Sequence, residues 1–268
     1  MRDLEFARPG GRPLYLDLFV PPGARPAPLV LWIHGGGWTQ FTKTDGVQAM
    51  ALLAHGYAVA STDYRWSSEA IFPAQIHDVK AAVRFLRANA AHFELDPDRF
   101  GIWGESAGGF LAALLGTTSV QGELEGDDGV TGVSSCVQAV VDLYGPTDLL
   151  RRKAQTPAGA QDPEAPDSSS ARLLGGPPSR HPERARQANP ITYITRGVPP
   201  FLIIHGDADP LVPFGQSELL VSALRNIGAP VEFIIVRGGG HGGDAFQDGD
   251  IFAAIRGFFD RTLALTQS

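Results

Sequence analysis

A mostly parallel, doubly wound α/β sheet of about eight strands is predicted for this 268-residue chain by three observations. Short runs rich in Val, Ile and Leu alternate with segments of helical periodicity, the order that places helices across both faces of a parallel sheet. Several of those runs are continuously apolar, as in Leu29-Val30-Leu31-Trp32-Ile33, which is how strands read when both of their sides are buried. The length suits one large α/β domain, and 43% hydrophobic residues is enough to fill its core.

Taken in order, residues 4–8 and 14–20 read as two strands joined by the turn Pro9-Gly10-Gly11, an antiparallel opening. The apolar run 29–34 follows, then a helix over 45–55 ended by Gly56, and a strand over 57–62. Residues 73–90 form the clearest helix, with Pro73 at its start and Ile76, Val79, Ala82, Val83 and Leu86 at helical spacing. Asp96-Pro97-Asp98-Arg99 reads as a surface turn before a strand over 100–103. Cys136, the sole cysteine, lies in the strand-like run 133–141 and reads as a small buried core residue; no intrachain disulfide is possible. Strands over 137–143, 201–205 and 231–236, a helix over 215–226 closed at Gly228, and a helix over 251–265 complete the pattern.

Residues 149–196 interrupt the alternation. The segment is rich in Pro, Ala, Ser and Gly, which suits a disordered linker, but it stands between two core strands, which favours a partly ordered lid. The expectation is a single domain over 1–268 with this lid inserted in it.

Composition removes several function classes. A formal charge of -7 argues against an extended nucleic-acid surface, which needs clustered Lys and Arg. No run approaches the length of a membrane span. Met1-Arg2-Asp3-Leu4-Glu5-Phe6 has early acids and no apolar segment, so no secretory signal is expected and the expected location is cytoplasmic. No Cys/His cluster or HExxH pattern points to a metal, and no GxxxxGK[ST] pattern to a nucleotide, so no cofactor is expected. Oligomeric state leaves no trace in the sequence.

The chemistry centres on Gly104-Glu105-Ser106-Ala107-Gly108, set between the strand ending at Trp103 and the apolar helix-like run from Phe110. Strand, Gly-x-Ser-x-Gly turn and helix describe a nucleophile elbow, in which the positions two before and two after the serine have no room for a Cβ. A serine hydroxyl needs a base to take its proton, and the base needs an orienting carboxylate. Of seven histidines, His241 alone is set among flexible glycines beyond the last strand, in Gly238-Gly239-Gly240-His241-Gly242-Gly243. His34 and His205 end buried strands, where rings hydrogen-bonded to neighbouring loops are expected; His55, His77, His92 and His181 suit solvated or capping roles. The acid comes from the loop after strand 201–205, where Asp207 and Asp209 are two apart. Pro210 fixes the turn after Asp209 and favours it, with Asp207 as the alternative. The glycine loop His34-Gly35-Gly36-Gly37-Trp38 can turn its amides toward a substrate, so Gly36 and Gly37, with Ala107, are the expected oxyanion donors. Trp38 and Tyr144 are candidates for the substrate pocket, with plain packing as the competing role for each. In Asp63-Tyr64-Arg65 an Arg-Asp pair bracing the loops near the oxyanion hole is expected.

In order, HGGGW (34–38), DYR (63–65), GESAGG (104–109), HGDADPLVP (205–213) and GGHGG (239–243) make the chain resemble the α/β-hydrolase esterases and lipases, the hormone-sensitive-lipase-like and feruloyl-esterase-like branches in particular. The likeness covers residues 29–263. It implies the α/β-hydrolase fold, a triad of Ser106, Asp209 and His241, oxyanion donors Gly36, Gly37 and Ala107, and a small-molecule ester substrate of small to medium size. The acid and histidine loops also resemble prolyl-oligopeptidase-type peptidases, which supports Asp209, and the His-Gly-Gly-x-Trp run resembles arylformamidases. An amide-directed hydrolase is therefore the alternative activity. The chain departs from the hormone-sensitive-lipase-like pattern at Trp66-Ser67-Ser68-Glu69-Ala70, where a Leu-Ala-Pro segment is usual, and its N-terminus is short for those enzymes' helical cap; a compact lid from the middle insertion is the expectation. No counterpart of the peptidases' propeller domain is expected.

Overall fold

The structure, a computed structural model, describes residues 1–23 and 26–263. Eight strands form one sheet: β1 (Leu4–Ala7), β2 (Leu14–Phe19), β3 (Ala27–Ile33), β4 (Ala58–Thr62), β5 (Leu95–Glu105), β6 (Ala139–Leu143), β7 (Phe201–Gly206) and β8 (Val231–Val236). Their order across the sheet is β1-β2-β4-β3-β5-β6-β7-β8, antiparallel for β1/β2 and β2/β4 and parallel from β4 onward. This is the α/β-hydrolase architecture. The helices are α1 (Ala74–Ala88), α2 (Ala90–Phe93), α3 (Ala107–Thr118), α4 (Arg152–Gln155), α5 (Ser169–Leu174), α6 (Pro182–Gln187), α7 (Gly215–Asn226) and α8 (Gly249–Thr262).

The unbroken apolar strands are explained by two cores, one per face. Along β3, Leu29, Leu31 and Ile33 enter the core that also holds Ile76, Val79 and Leu86 of α1 and Phe110 and Leu114 of α3. Val30 and Trp32 enter the other, against Phe258 and Phe259 of α8. The alternation of side chains along a strand makes both sets apolar at once. Trp32 and its register partner Trp103 on β5 meet edge to face at 5.4 Å. All twelve residues of α3 are buried, so the helix that starts at the elbow runs through the middle of the molecule.

Several local expectations need correction. The helix expected over 45–55 is a 3-10 helix from Gln48 to His55; its start is delayed by the Thr42–Asp45 turn, and Gly56 ends it in the left-handed conformation as expected. Residues 96–99 are no separate turn but a bulge inside β5, extruded where Ala27 pairs with Leu95 and Leu29 with Phe100. Residues 133–138 are not strand, and Cys136 is only half-buried, its thiol donating to the Ser119 carbonyl at 3.3 Å. Arg65 pairs with Asp78 of α1 rather than with Asp63, because Asp63 is taken by the Lys43 amide. The last two residues of the helix expected over 251–265 lie outside the described residues. Residues 149–196 carry three short helices, α4 to α6, with one 3-10 turn between α5 and α6 and another after α6.

Candidate active site

Four loops converge at the C-terminal ends of the parallel strands, where register sets neighbours side by side: Ile33 beside Gly104, Glu105 beside Leu143, Leu143 beside Ile204, Gly206 beside Val236. The elbow follows β5. Ser106 sits at φ 51°, ψ -117°, a region that side-chain-bearing residues rarely occupy. A Cβ on Gly104 would lie 2.2 Å from the Gly108 carbonyl oxygen, and one on Gly108 would lie 2.1 Å from that of Ile33. The two flanking glycines are therefore demanded by backbone packing. The Ser106 amide donates to Leu143 at 2.8 Å and its carbonyl accepts from Phe110 at 3.0 Å, which locks the turn between β6 and α3.

His241 reaches the elbow from the glycine loop after β8. Its Nε2 lies 2.8 Å from Ser106 Oγ, and its Nδ1 lies 2.6 Å from Asp209 Oδ2. Asp209 is in turn fully engaged. Its Oδ1 accepts the Leu211 and Val212 amides at 2.8 and 2.9 Å, and its Oδ2 also meets His205 Nε2 at 3.2 Å. Because His205 Nε2 also faces the Val212 carbonyl at 3.0 Å, which only accepts, that nitrogen carries the proton. Burial pushes the Asp209 carboxyl up, but hydrogen bonds from His205 and His241 outweigh burial and hold it well below the usual carboxylate range. Asp207 points elsewhere: it accepts the Gly238 amide at 2.7 Å and Arg237 at 2.9 Å, pinning the acid loop to the histidine loop at the surface.

The glycine loop after β3 is braced from below. Tyr64 Oη donates to the carbonyls of His34 and Gly35 at 3.1 and 3.0 Å, and its ring stacks on His34 at 4.3 Å. His34 Nδ1 donates to the Gly35 carbonyl at 2.9 Å, and burial pushes the ring down to about 4, so it stays neutral. Gly36 and Gly37 both take positive φ, 93° and 58°. Among the described residues nothing accepts a hydrogen bond from the amides of Gly36, Gly37 or Ala107.

These loops and the insertion enclose a cavity of about 680 Å³. Trp38 and Tyr144 both line it but are almost wholly buried, so packing is the larger part of what they do. Trp38 meets Phe110 edge-on at 5.1 Å; Tyr144 lies 4.8 Å from the His241 ring and donates to Glu105 Oε2 at 3.0 Å. Exposed Phe41 and Leu211 flank the cavity, and Arg152, Asp167, Ser169 and Arg172 reach it from the insertion. Sequence reading passed over Glu105, Arg152 and Arg172. Glu105 was legible as the neighbour of Ser106, whereas the two arginines sit in a segment without any motif. Among the described residues no group of three or more His, Cys, Asp or Glu is placed to hold a metal, and no helix is long and apolar enough to cross a membrane.

The BD-FAE family profile matches residues 16–224, a span that contains Ser106 and Asp209 and stops short of His241. Esterase LipC of Mycobacterium tuberculosis is 36% identical over 230 residues, covering 82% of this chain and 54% of its own; Esterase LipQ of the same organism is 33% identical over 228 residues, 82% of this chain and 52% of its own. The chain thus spans about half the length of the curated relatives it matches. Among solved structures, a truncated carbohydrate esterase from gut microbiota superposes with TM-score 0.88 at 34% identity, covering 98% of this chain and 95% of its own. A bifunctional GH43-CE protein of Bacteroides eggerthii does so with TM-score 0.87 at 37% identity, covering 98% of this chain and 38% of its own. By profile, relatives and fold together, the chain belongs to the BD-FAE family.

Proposed function

We propose that the chain is a serine carboxylesterase that hydrolyses small to medium esters through an acyl-enzyme. The observation that carries this reading is the line of short contacts Ser106 Oγ–His241–Asp209, at 2.8 and 2.6 Å, beside three backbone amides that have no acceptor among the described residues. Ser106 attacks the ester carbonyl, and His241 Nε2 takes its proton and passes it to the leaving alcohol. Asp209 accepts from His241 Nδ1–H and stabilises the imidazolium that forms. The oxyanion is met by the amides of Gly36, Gly37 and Ala107, the last at the N-terminus of α3, where the helix dipole favours negative charge. Water then gives a proton to His241, attacks the acyl group, and the proton returns to Ser106. Residues 149–196 act as the lid of this site, within one domain.

The relatives' names, esterases throughout those reported above, support the same reading. The test is Ser106→Ala assayed on p-nitrophenyl acyl esters, with fluorophosphonate labelling of the wild type. Turnover is expected to fall by several orders of magnitude with the fold intact. Near-normal turnover in the variant sinks the assignment. N-formylkynurenine and short peptide amides belong in the same panel, since turnover of these alone moves the reaction to amide hydrolysis.

A further inference from the structure

We infer that the cavity beside Ser106 takes an ester whose acid or alcohol part carries a carboxylate, held by Arg152 with Arg172 beside it. The inference rests on the esterase reading and names its substrate class. Arg152 lines the cavity from the first turn of α4. Its guanidinium is tied at two corners: one Nη donates to Ser170 Oγ at 2.9 Å, the other to the Leu211 carbonyl at 2.7 Å. These partners place it between the site's two sides. Leu211 follows the acid Asp209 by two residues, and Ser169, next to Ser170, lies against Gly37 of the glycine loop, 3.2 Å from where a Cβ on that glycine would be.

What this cation lacks is an anion. Among the described residues no carboxylate lies within 4 Å of Arg152 or of Arg172, although Arg12, Arg65, Arg84, Arg99 and Arg237 each have one. Arg152 is half-buried, and its Nε, out of reach of solvent, has no hydrogen-bond partner among the described residues. Burial pushes the guanidinium down from its usual value, against the pull of the more distant Asp209 carboxylate, yet an arginine stays charged. Buried charges are ordinarily paired, and a fork held at two corners with donors to spare suits a carboxylate. Arg172 donates through Nε to the Asp167 carbonyl, leaving the rest of its fork at the exposed rim of the same cavity. Asp167 also lines that rim and repels an anion, so Arg152 carries the greater part of the selectivity.

The experiment compares kcat/KM for mono-4-nitrophenyl glutarate and 4-nitrophenyl valerate, which differ by a carboxylate on the acyl side. The alcohol side is compared with an O-acetylated glucuronic acid and the matching O-acetyl glucose. One of the two pairs is expected to favour the anion by about tenfold or more, the size of one charge-assisted hydrogen bond, and that pair tells which side of the ester the arginine reads. Arg152→Gln should lower that preference about tenfold, and Arg172→Gln should lower it less. Parity or preference for the neutral ester in both pairs of the wild-type enzyme overturns the inference while leaving the esterase reading intact, and needs no folded variant. Equal loss on both members of a pair in Arg152→Gln also overturns it, and makes Arg152 a tie between insertion and acid loop. Failure of every ester, with no fluorophosphonate labelling of Ser106, overturns both readings together.

Discussion

Replacing Asp209 by Asn tests the proposed mechanism at the point where the structure dictates the outcome. The side chain changes by one group, but its orientation is not free. Asp209 Oδ1 accepts two backbone amides, from Leu211 and Val212, so the carboxamide oxygen of Asn must remain there. Its NH2 then faces His241 Nδ1 and His205 Nε2–H, where Oδ2 had accepted from both. His205 cannot give way, because the Val212 carbonyl, which only accepts, keeps its proton on Nε2 while Nδ1 accepts from the Ser217 hydroxyl at 2.7 Å. His241 can: it switches its proton to Nε2, aiming an N–H at Ser106 Oγ where a lone pair is needed. The base is lost with the geometry preserved. A triad held in the wrong tautomer loses about 10^4-fold in kcat, which is ~5.5 kcal/mol of transition-state stabilisation. The assay is kcat for p-nitrophenyl butyrate, with near-ultraviolet circular dichroism to show the fold unchanged. Asp207→Asn is the control; its carboxamide oxygen keeps the Gly238 amide, it loses only a surface contact to Arg237, and its turnover should change by less than about threefold. Turnover of Asp209→Asn within tenfold of wild type refutes the reasoning, and a larger loss in Asp207→Asn moves the acid to that residue.

Other outcomes follow from packing and charge. Gly104→Ala and Gly108→Ala place a Cβ 2.2 and 2.1 Å from backbone oxygens that cannot move, so each should cost ~3 kcal/mol or more or abolish folding; Gly249→Ala, with nothing within 4 Å and a helical backbone, should be neutral or slightly stabilising in the same thermal melts. Burial pushes the Asp142 carboxyl up to about 6, against the opposing pull of the Gly145 amide and His205. A carboxyl raised above its unfolded value of about 3.9 favours the fold fully below that pH, and the benefit is lost as pH rises through about 6. Asp142→Asn should therefore gain stability relative to wild type between pH 4 and pH 8, by ~3 kcal/mol across that range in urea unfolding; a gap that does not change with pH would exclude this origin.

How much of this was legible follows from which distances the sequence can carry. The elbow is local: strand, two glycines that exclude a Cβ, and helix occupy one stretch of chain, so Ser106 and its backbone were readable. The glycine loop and the loops holding Asp209 and His241 were readable because each directly follows a strand, and parallel strands bring their C-terminal ends to one edge. The choice between Asp207 and Asp209 leaned on Pro210. In the folded chain Asp209 meets the amides of its own loop at Leu211 and Val212 and also His241, whereas Asp207 meets Gly238, and which carboxylate faces His241 depends on how the acid loop lies against the loop after β8. Arg65 shows the limit more sharply. The nearest acid in sequence, Asp63, is claimed by the Lys43 amide, and the guanidinium turns to Asp78, buried on α1. Adjacency in sequence does not decide a salt bridge when one partner is already held by another segment of the chain.

By itself, then, the sequence determined the sheet, the strand after which each loop of the candidate site falls, and the residues proposed to react. These depend on hydrophobic periodicity, on turns that only glycine can make, and on chain order, all of which act over a few residues. Tertiary structure alone decided the environment of the site. It brought His241 onto an Asp209 carboxylate already held by neighbours in its own loop, laid Tyr144 between Glu105 and the His241 ring, and brought Arg152 from a motif-less insertion to the cavity wall with no carboxylate within 4 Å among the described residues. Those are contacts between segments far apart in the chain, made by long side chains whose direction is chosen by packing, and no local pattern encodes them.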